Sequence, residues 1–203
     1  MLIATAALTA TTLICLASGA AAQEAIVSEY TDIDVDSHCS VYAAAEDGNG
    51  DWANMACAGY RGYPVVIQYG DARESVFYGF PPDGDLAPVW ESFSAFNAAG
   101  PKIEWRIARQ EGRETPFATI HRWFVSTSVV DSTKTEVLVV EKVGQVHGRD
   151  GCAVGYVVAT GNPDANEMAR RIADTQARDF ACGDQPVIDA GSVPLPDFVR
   201  SEN

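Results

Sequence analysis

The sequence predicts an α+β fold: a mainly antiparallel sheet of about six or seven strands with a C-terminal helix packed on one face, braced by two disulfides. Short β-branched and aromatic runs, separated by Gly, Asp and Asn turns, fill the chain up to residue 159. One clear helical pattern follows, at 163–181. Four of the five cysteines, Cys39, Cys57, Cys152 and Cys182, lie beyond an apolar leader. A small β-sandwich or a partly closed barrel is the alternative arrangement of the same strands.

Residues 1–22 are apolar or small, carry no charge and end in Ala20-Ala21-Ala22. That is the form of a secretory signal peptide cut after Ala22, with an uncleaved anchor as the alternative. The run is short and rich in Ala and Thr, whereas a membrane span needs about 20 strongly apolar residues. Cys15 follows Ile14 and lacks the small neighbour of a lipid-attachment site. An even cysteine count after such a leader reads as a disulfide framework in an oxidising compartment. The protein is therefore expected to be periplasmic or secreted. Residues 23–203 suffice for a single domain. The net charge is −14, all of it beyond the leader, which argues against nucleic acid and anionic lipid and suits a cationic partner.

Residues 24–37 are acidic and expected to pack loosely. Strands at 38–45 and 52–60 flank the turn 46–51, where Asp47-Gly48 and Asn49-Gly50 supply the positive φ of a hairpin. A second hairpin is expected from 64–69 and 74–80. Residues 89–99 are ambiguous: Trp90, Phe93 and Phe96 recur every three positions, as in a short helix or a covering loop. Residues 102–109 alternate, with Ile103, Trp105 and Ile107 on one face and Lys102, Glu104 and Arg106 on the other. Strands at 117–126, 136–144 and 152–159 follow, and the apolar run from Val137 to Val140 suits a central strand. For the helix, Asn162 is the expected N-cap and Pro163 the first helical residue. Ala165, Met168, Ala169, Ile172, Ala173 and Phe180 form its apolar stripe. The tail from about 184, with Pro186, Pro194 and Pro196, is expected to be extended over the surface or loose at its end.

Four cysteines allow three pairings. Cys39–Cys57 is expected across the first hairpin, and Cys152–Cys182 between the last strand and the helix end. No Cys-x-x-Cys occurs, so a redox or zinc role is disfavoured. Asp32, Asp34 and Asp36 alternate, as do Asp47, Asn49 and Asp51. Ser37 and Ala43, or Trp52 and Ala58, stand where a calcium loop needs Gly and Glu. No metal and no cofactor is expected, and no catalytic residue is assigned. His38, His121 and His147 are far apart, and no Gly-x-Ser-x-Gly is present. Tyr, Trp and Arg are the residues that anchor interfaces. Tyr60, Tyr63, Trp105, Arg106, His121 and Arg122 are accordingly the candidate binding residues.

Several blocks carry a resemblance. They are Asp51-Trp52-Ala53 with Cys57-Ala58-Gly59-Tyr60, Gly100-Pro101-Lys102-Ile103-Glu104-Trp105-Arg106, Ala118-Thr119-Ile120-His121-Arg122-Trp123, and Cys152-Ala153-Val154-Gly155-Tyr156-Val157 through Cys182. Together they resemble a group of small exported alphaproteobacterial proteins with four cysteines and no assigned activity. The resemblance spans most of residues 23–203. It implies export and a disulfide-bonded domain, and it implies no chemistry. The expectation is a non-enzymatic exported domain that binds an envelope or secreted partner, as an inhibitor of a cationic enzyme or an accessory factor. The alternative is a small periplasmic hydrolase, in which Arg106, His121 or Arg122 would meet carboxylates in a cleft.

Overall fold

Twelve strands and one main helix are described by a computed structural model that covers residues 24–46, 49–82, 89–127 and 132–202. The expected leader lies outside these residues, as do Asp47 and Gly48 of the expected first turn. In chain order the elements begin with β1 (Ala25–Asp32), the single turn α1 (Val35–His38), β2 (Cys39–Ala44) and β3 (Trp52–Ala58). There follow β4 (Pro64–Gly70), β5 (Arg73–Tyr78), β6 (Val89–Phe93), β7 (Asn97–Gln110) and β8 (Arg113–Ser126). The last are β9 (Lys134–Lys142), β10 (Cys152–Val158), the helix α2 (Ala165–Gln176), β11 (Val187–Asp189) and β12 (Phe198–Glu202).

The strands form three sheets, not one. The largest has the order β1-β7-β8-β9-β10-β11, the second β2-β3-β4-β5, and β12-β6 make a small third. Their ladders are antiparallel except β10–β11. Tight turns set the two clearest hairpins. Asp71 and Ala72 take φ of 51° and 56° between β4 and β5, and Glu111 and Gly112 take 51° and 75° between β7 and β8. Positive φ at both central residues matches the strand twist.

Side-chain alternation then builds two cores on the two faces of the six-stranded sheet. Ile103, Trp105, Ile107, Trp123, Val125, Val137 and Val139 meet Met55, Val65, Ile67, Val76 and Tyr78 of the four-stranded sheet in one cluster. That face-to-face packing is the sandwich held as the alternative arrangement. On the opposite face Phe117, Ile120, Leu138, Val140, Val154 and Val157 meet Ala165, Ala169, Ile172 and Ala173 of α2 and its C-cap Ala177. Small residues at helical spacing let α2 sit close. Gly155 completes the fit, because a Cβ there would lie 2.9 Å from Ile172 Cγ2.

Four expectations are corrected. Residues 25–32 are the edge strand β1 on β7, because Val27, Glu29 and Thr31 share an inward face over a full register with β7. Residues 89–93 are a strand, since β12 supplies a ladder that no local pattern reveals. The tail from 184 holds β11 and β12 and so is tied down. The helix is shorter than its sequence pattern and is followed by two strands, so it is not C-terminal. Asn162 Oδ1 accepts from the Asp164 amide at 3.0 Å, which turns the chain before the helix begins.

Both expected disulfides are present. Cys39 and Cys57 face each other across β2–β3, and Cys152, the first residue of β10, joins Cys182 beyond α2. In the loop-entropy account each stabilises by roughly 3 kcal/mol. Among the described residues no helix is long and apolar enough to cross a membrane.

Candidate functional site

The period of two divides the candidate residues between opposite faces of the large sheet. Trp105 on β7 and His121 on β8 point into the sandwich, while Arg106 and Arg122, their immediate neighbours, point towards α2. The four therefore do not converge.

On the helix side, Arg106 is buried and donates to both carboxylate oxygens of Asp174 at 2.8 and 2.7 Å, and also to Ser28 Oγ. Glu104 accepts from Arg170 Nε at 2.6 Å and from Ser28 Oγ at 2.5 Å. Burial alone would raise the Glu104 carboxyl, but these bonds outweigh it and hold it below the usual carboxylate range. Arg122 reaches Glu136 at 2.6 Å and lies nearer solvent. Every one of these charges has a partner within the fold.

Inside the sandwich, His121 is 1% exposed. Its Nε2 lies 2.5 Å from the Gly100 carbonyl oxygen, which can only accept. The proton is thus assigned to Nε2, and Nδ1 accepts from the Tyr78 hydroxyl at 2.6 Å. Burial pulls the ring down to about 4 and keeps it neutral. Both nitrogens are occupied and no solvent reaches them, so His121 has no proton to exchange with a substrate. Trp105 Nε1 donates to Thr31 Oγ1 at 2.8 Å and is likewise enclosed. Trp105 and His121 are core residues, which corrects the expectation that they lie on a binding face.

Tyr60 and Tyr63 lie towards the β7–β8 hairpin. The Tyr60 hydroxyl donates to Glu114 at 2.8 Å, and Arg61 and Arg109 also bind that carboxylate, at 2.5 and 2.8 Å. The Tyr63 hydroxyl donates to Gln145 Oε1 at 3.1 Å. Gln145 in turn lines a solvent-open groove of about 430 Å³ with Arg113, Phe117, Lys142 and Arg178. The Arg178 guanidinium lies 4.2 Å from the centre of the Phe117 ring and pairs with Glu24 at 2.6 Å. Lys142 donates to the Phe180 carbonyl at 2.8 Å and to Asp150 at 3.0 Å. Arg113 is exposed and forms no ion pair with any described residue. The size is that of a small-ligand or side-chain pocket.

Two sets of residues escaped the sequence reading. The groove draws Arg113, Lys142, Gln145 and Arg178 from three separated segments, with no local signature. The other set is the carboxyl pair Glu91 and Glu141, buried at the contact between β6 and β9. One signal was available: Glu141 stands in phase with Val137 and Val139, at the end of the apolar run of β9. No group of three or more metal-ligating side chains is assembled among the described residues.

Comparison of the chain with protein-family models, with curated proteins and with solved structures finds no match.

Proposed function

We propose that the protein is an exported, non-enzymatic domain that binds an envelope or secreted partner at the groove between the β7–β8 hairpin and the end of α2. The observation that carries this reading is the distribution of chemistry. Histidine and arginine candidates for catalysis lie on opposite faces of one sheet and are each committed to structural partners. The open surface that keeps a cation without an ion pair among the described residues is the groove, where Arg113 stands near Lys142 and Arg178, which pair with Asp150 and Glu24, on a chain of net charge −14. Arginine beside an aromatic ring is a recurrent anchor at interfaces. Two disulfides are consistent with the oxidising compartment that such a partner would share.

The test is retention of envelope and secreted proteins on immobilised 23–203 chain. Arg113→Glu should lose a partner that wild type and the helix-face variant Arg171→Glu both keep. Equal retention by all three would contradict the groove, and retention by none would contradict binding. The narrower inhibitor reading predicts inhibition of a cationic muramidase at micromolar protein; no inhibition removes it.

One observation favours the hydrolase reading, the paired carboxyls of Glu91 and Glu141. They are covered by β12, and the cavity they line is only about 10 Å³, too small for a substrate. Binding is therefore the better supported function.

A further inference from the structure

Glu141 interrupts the apolar face of β9 and enters the sandwich core, 4% exposed. Register sets it beside Thr119 on β8 and Ala153 on β10. Glu91 on β6 reaches the same place. Its Oε2 accepts from the Ala153 amide at 2.8 Å, and its Oε1 meets Arg200 of β12 at 3.0 Å. Both carboxyls line the small cavity together with Ser92, Trp123 and Tyr156. The Trp123 indole N–H, on a residue 2% exposed, has no partner among the described residues. The cavity has about the volume of one water. A water there would accept from Trp123 and donate to a carboxylate.

The charge count is unbalanced. Two carboxyls face one guanidinium, Arg200, in a space with little solvent access, Glu141 being 4% exposed and the Glu91 side chain 10%. The other titratable groups around them are Tyr156 from β10, Tyr78 and Glu74 from β5, and His121 from β8. Burial keeps both tyrosines neutral, and His121 is neutral and bound to Tyr78 and Gly100. Glu74 is spent on the Ala99 amide at 2.7 Å. Among the described residues no second cation reaches the pair to balance the second carboxylate.

We propose that Glu91 and Glu141 share one proton, and that this proton latches the C-terminal strand β12 onto the sandwich. Glu91, ionised, is gripped by Arg200 and the Ala153 amide. Glu141, neutral, lies beside it. The β6–β12 pair belongs to neither large sheet. Its β6 half is rooted in the core by Phe93, 1% exposed and set edge-on against Trp123 and Tyr156, whereas β12 is held by its ladder to β6, by the Arg200–Glu91 pair and by Phe198 stacked on Tyr156 at 4.3 Å. Ionising Glu141 sets two like charges together in a water-poor site, and the least costly relief is to release the outer strand β12 and hydrate the pair. Burial raises the Glu141 carboxyl well above its ordinary range, and Glu91 adds to this. The closed form therefore binds more protons than the open one, and rising pH above the ordinary carboxylate range favours opening. Opening uncovers Tyr156, on which Phe198 is stacked, an aromatic surface distinct from the groove.

The experiment is hydrogen exchange of the β12 amides from mildly acidic to mildly alkaline pH, corrected with an unstructured peptide of the same sequence. Wild type should lose protection in a step of roughly tenfold for each pH unit above the onset, and Glu141→Gln should show no step. Carboxyl ¹³C resonances of wild type give a second readout that needs no variant. One Glu should stay protonated at neutral pH and ionise where β12 loses protection. Flat protection in wild type, the same step in both proteins, or two ionised carboxyls at neutral pH would each overturn the latch.

Discussion

The two faces of the six-stranded sheet bury polar groups in opposite ways. Beneath α2, Glu104, Arg106, Arg170 and Asp174 are ionised and paired, near enough to the rim that partners of both signs reach one another. Inside the sandwich, His121, Tyr78 and Glu141 are neutral and rely on hydrogen bonds or a retained proton. The six-stranded sheet contributes to both sets, through β7 on the helix side and through β8 and β9 inside the sandwich. Charge state is therefore decided by what packs over each face: a helix edged with arginine and aspartate on one side, an almost uncharged sheet on the other. Of the residues in β2–β5, only Arg73 and Glu74 carry charge.

Substitutions can break this contrast, and the largest effect is expected on the helix side. Arg106→Met strands Asp174 and weakens the hold on Glu104, and should cost about 3–5 kcal/mol in urea unfolding. A loss below about 1 kcal/mol would mean that the network is solvated and not truly buried. Cys152→Ser should cost roughly 3 kcal/mol, because the 30-residue span to Cys182 is freed in the unfolded chain. An unchanged melting point would contradict the bond. On the sandwich side, Tyr78→Phe leaves His121 Nδ1 without a donor and should cost about 1–3 kcal/mol. Arg122→Met, which loses the solvent-facing pair with Glu136 and a long hydrogen bond to Asn166, should cost no more than about 1 kcal/mol. The ratio of the Arg106 effect to the Arg122 effect measures how far burial, and not ion pairing as such, sets the stakes.

Acid sharpens the same comparison. The folded-state pKa of His121 is about 4, below its unfolded value of 6.5. The unfolded chain therefore binds the extra proton first, and stability on the order of 3 kcal/mol is lost as pH falls from about 6.5 to about 4. Glu104 acts in the same direction, since its carboxyl is lowered by folding and its contribution fades as pH falls through the carboxylate range. Glu141 acts in the opposite direction. Urea titrations of wild type and His121→Gln should separate them, the variant losing less stability per pH unit across that window.

Much of the fold could be read before the coordinates because it rests on local rules. The alternation of Ile103, Trp105 and Ile107 does face the core, and Cys39 and Cys57 do stand opposite in a hairpin. Sequence reading faltered where distant segments supply the partner. Glu104 and Arg106 look like a solvated face until α2, some 60 residues later, docks over them. Phe93 and Phe96 share a spacing of three, yet Phe93 is core and Phe96 is exposed, because β12 recruits β6 into a ladder. Strand β8 starts before Phe117, the expected start. Pro116 lacks an amide for the ladder, and the β7–β8 register shifts beside it, so an otherwise unfavourable residue is tolerated. For the site, His121 was read as a binding residue, because nothing local says that the space it enters is closed. The groove and the carboxyl pair are products of tertiary packing alone.

The most direct measurement of the central claim, that the interior groups are neutral and structural, is a ¹⁵N NMR titration of the three histidines. His121 should report a proton on Nε2, none on Nδ1, and no protonation until about pH 4. A His121 that carries its proton on Nδ1, or titrates near 6.5, would be solvent-reached and free to act, and would contradict the account.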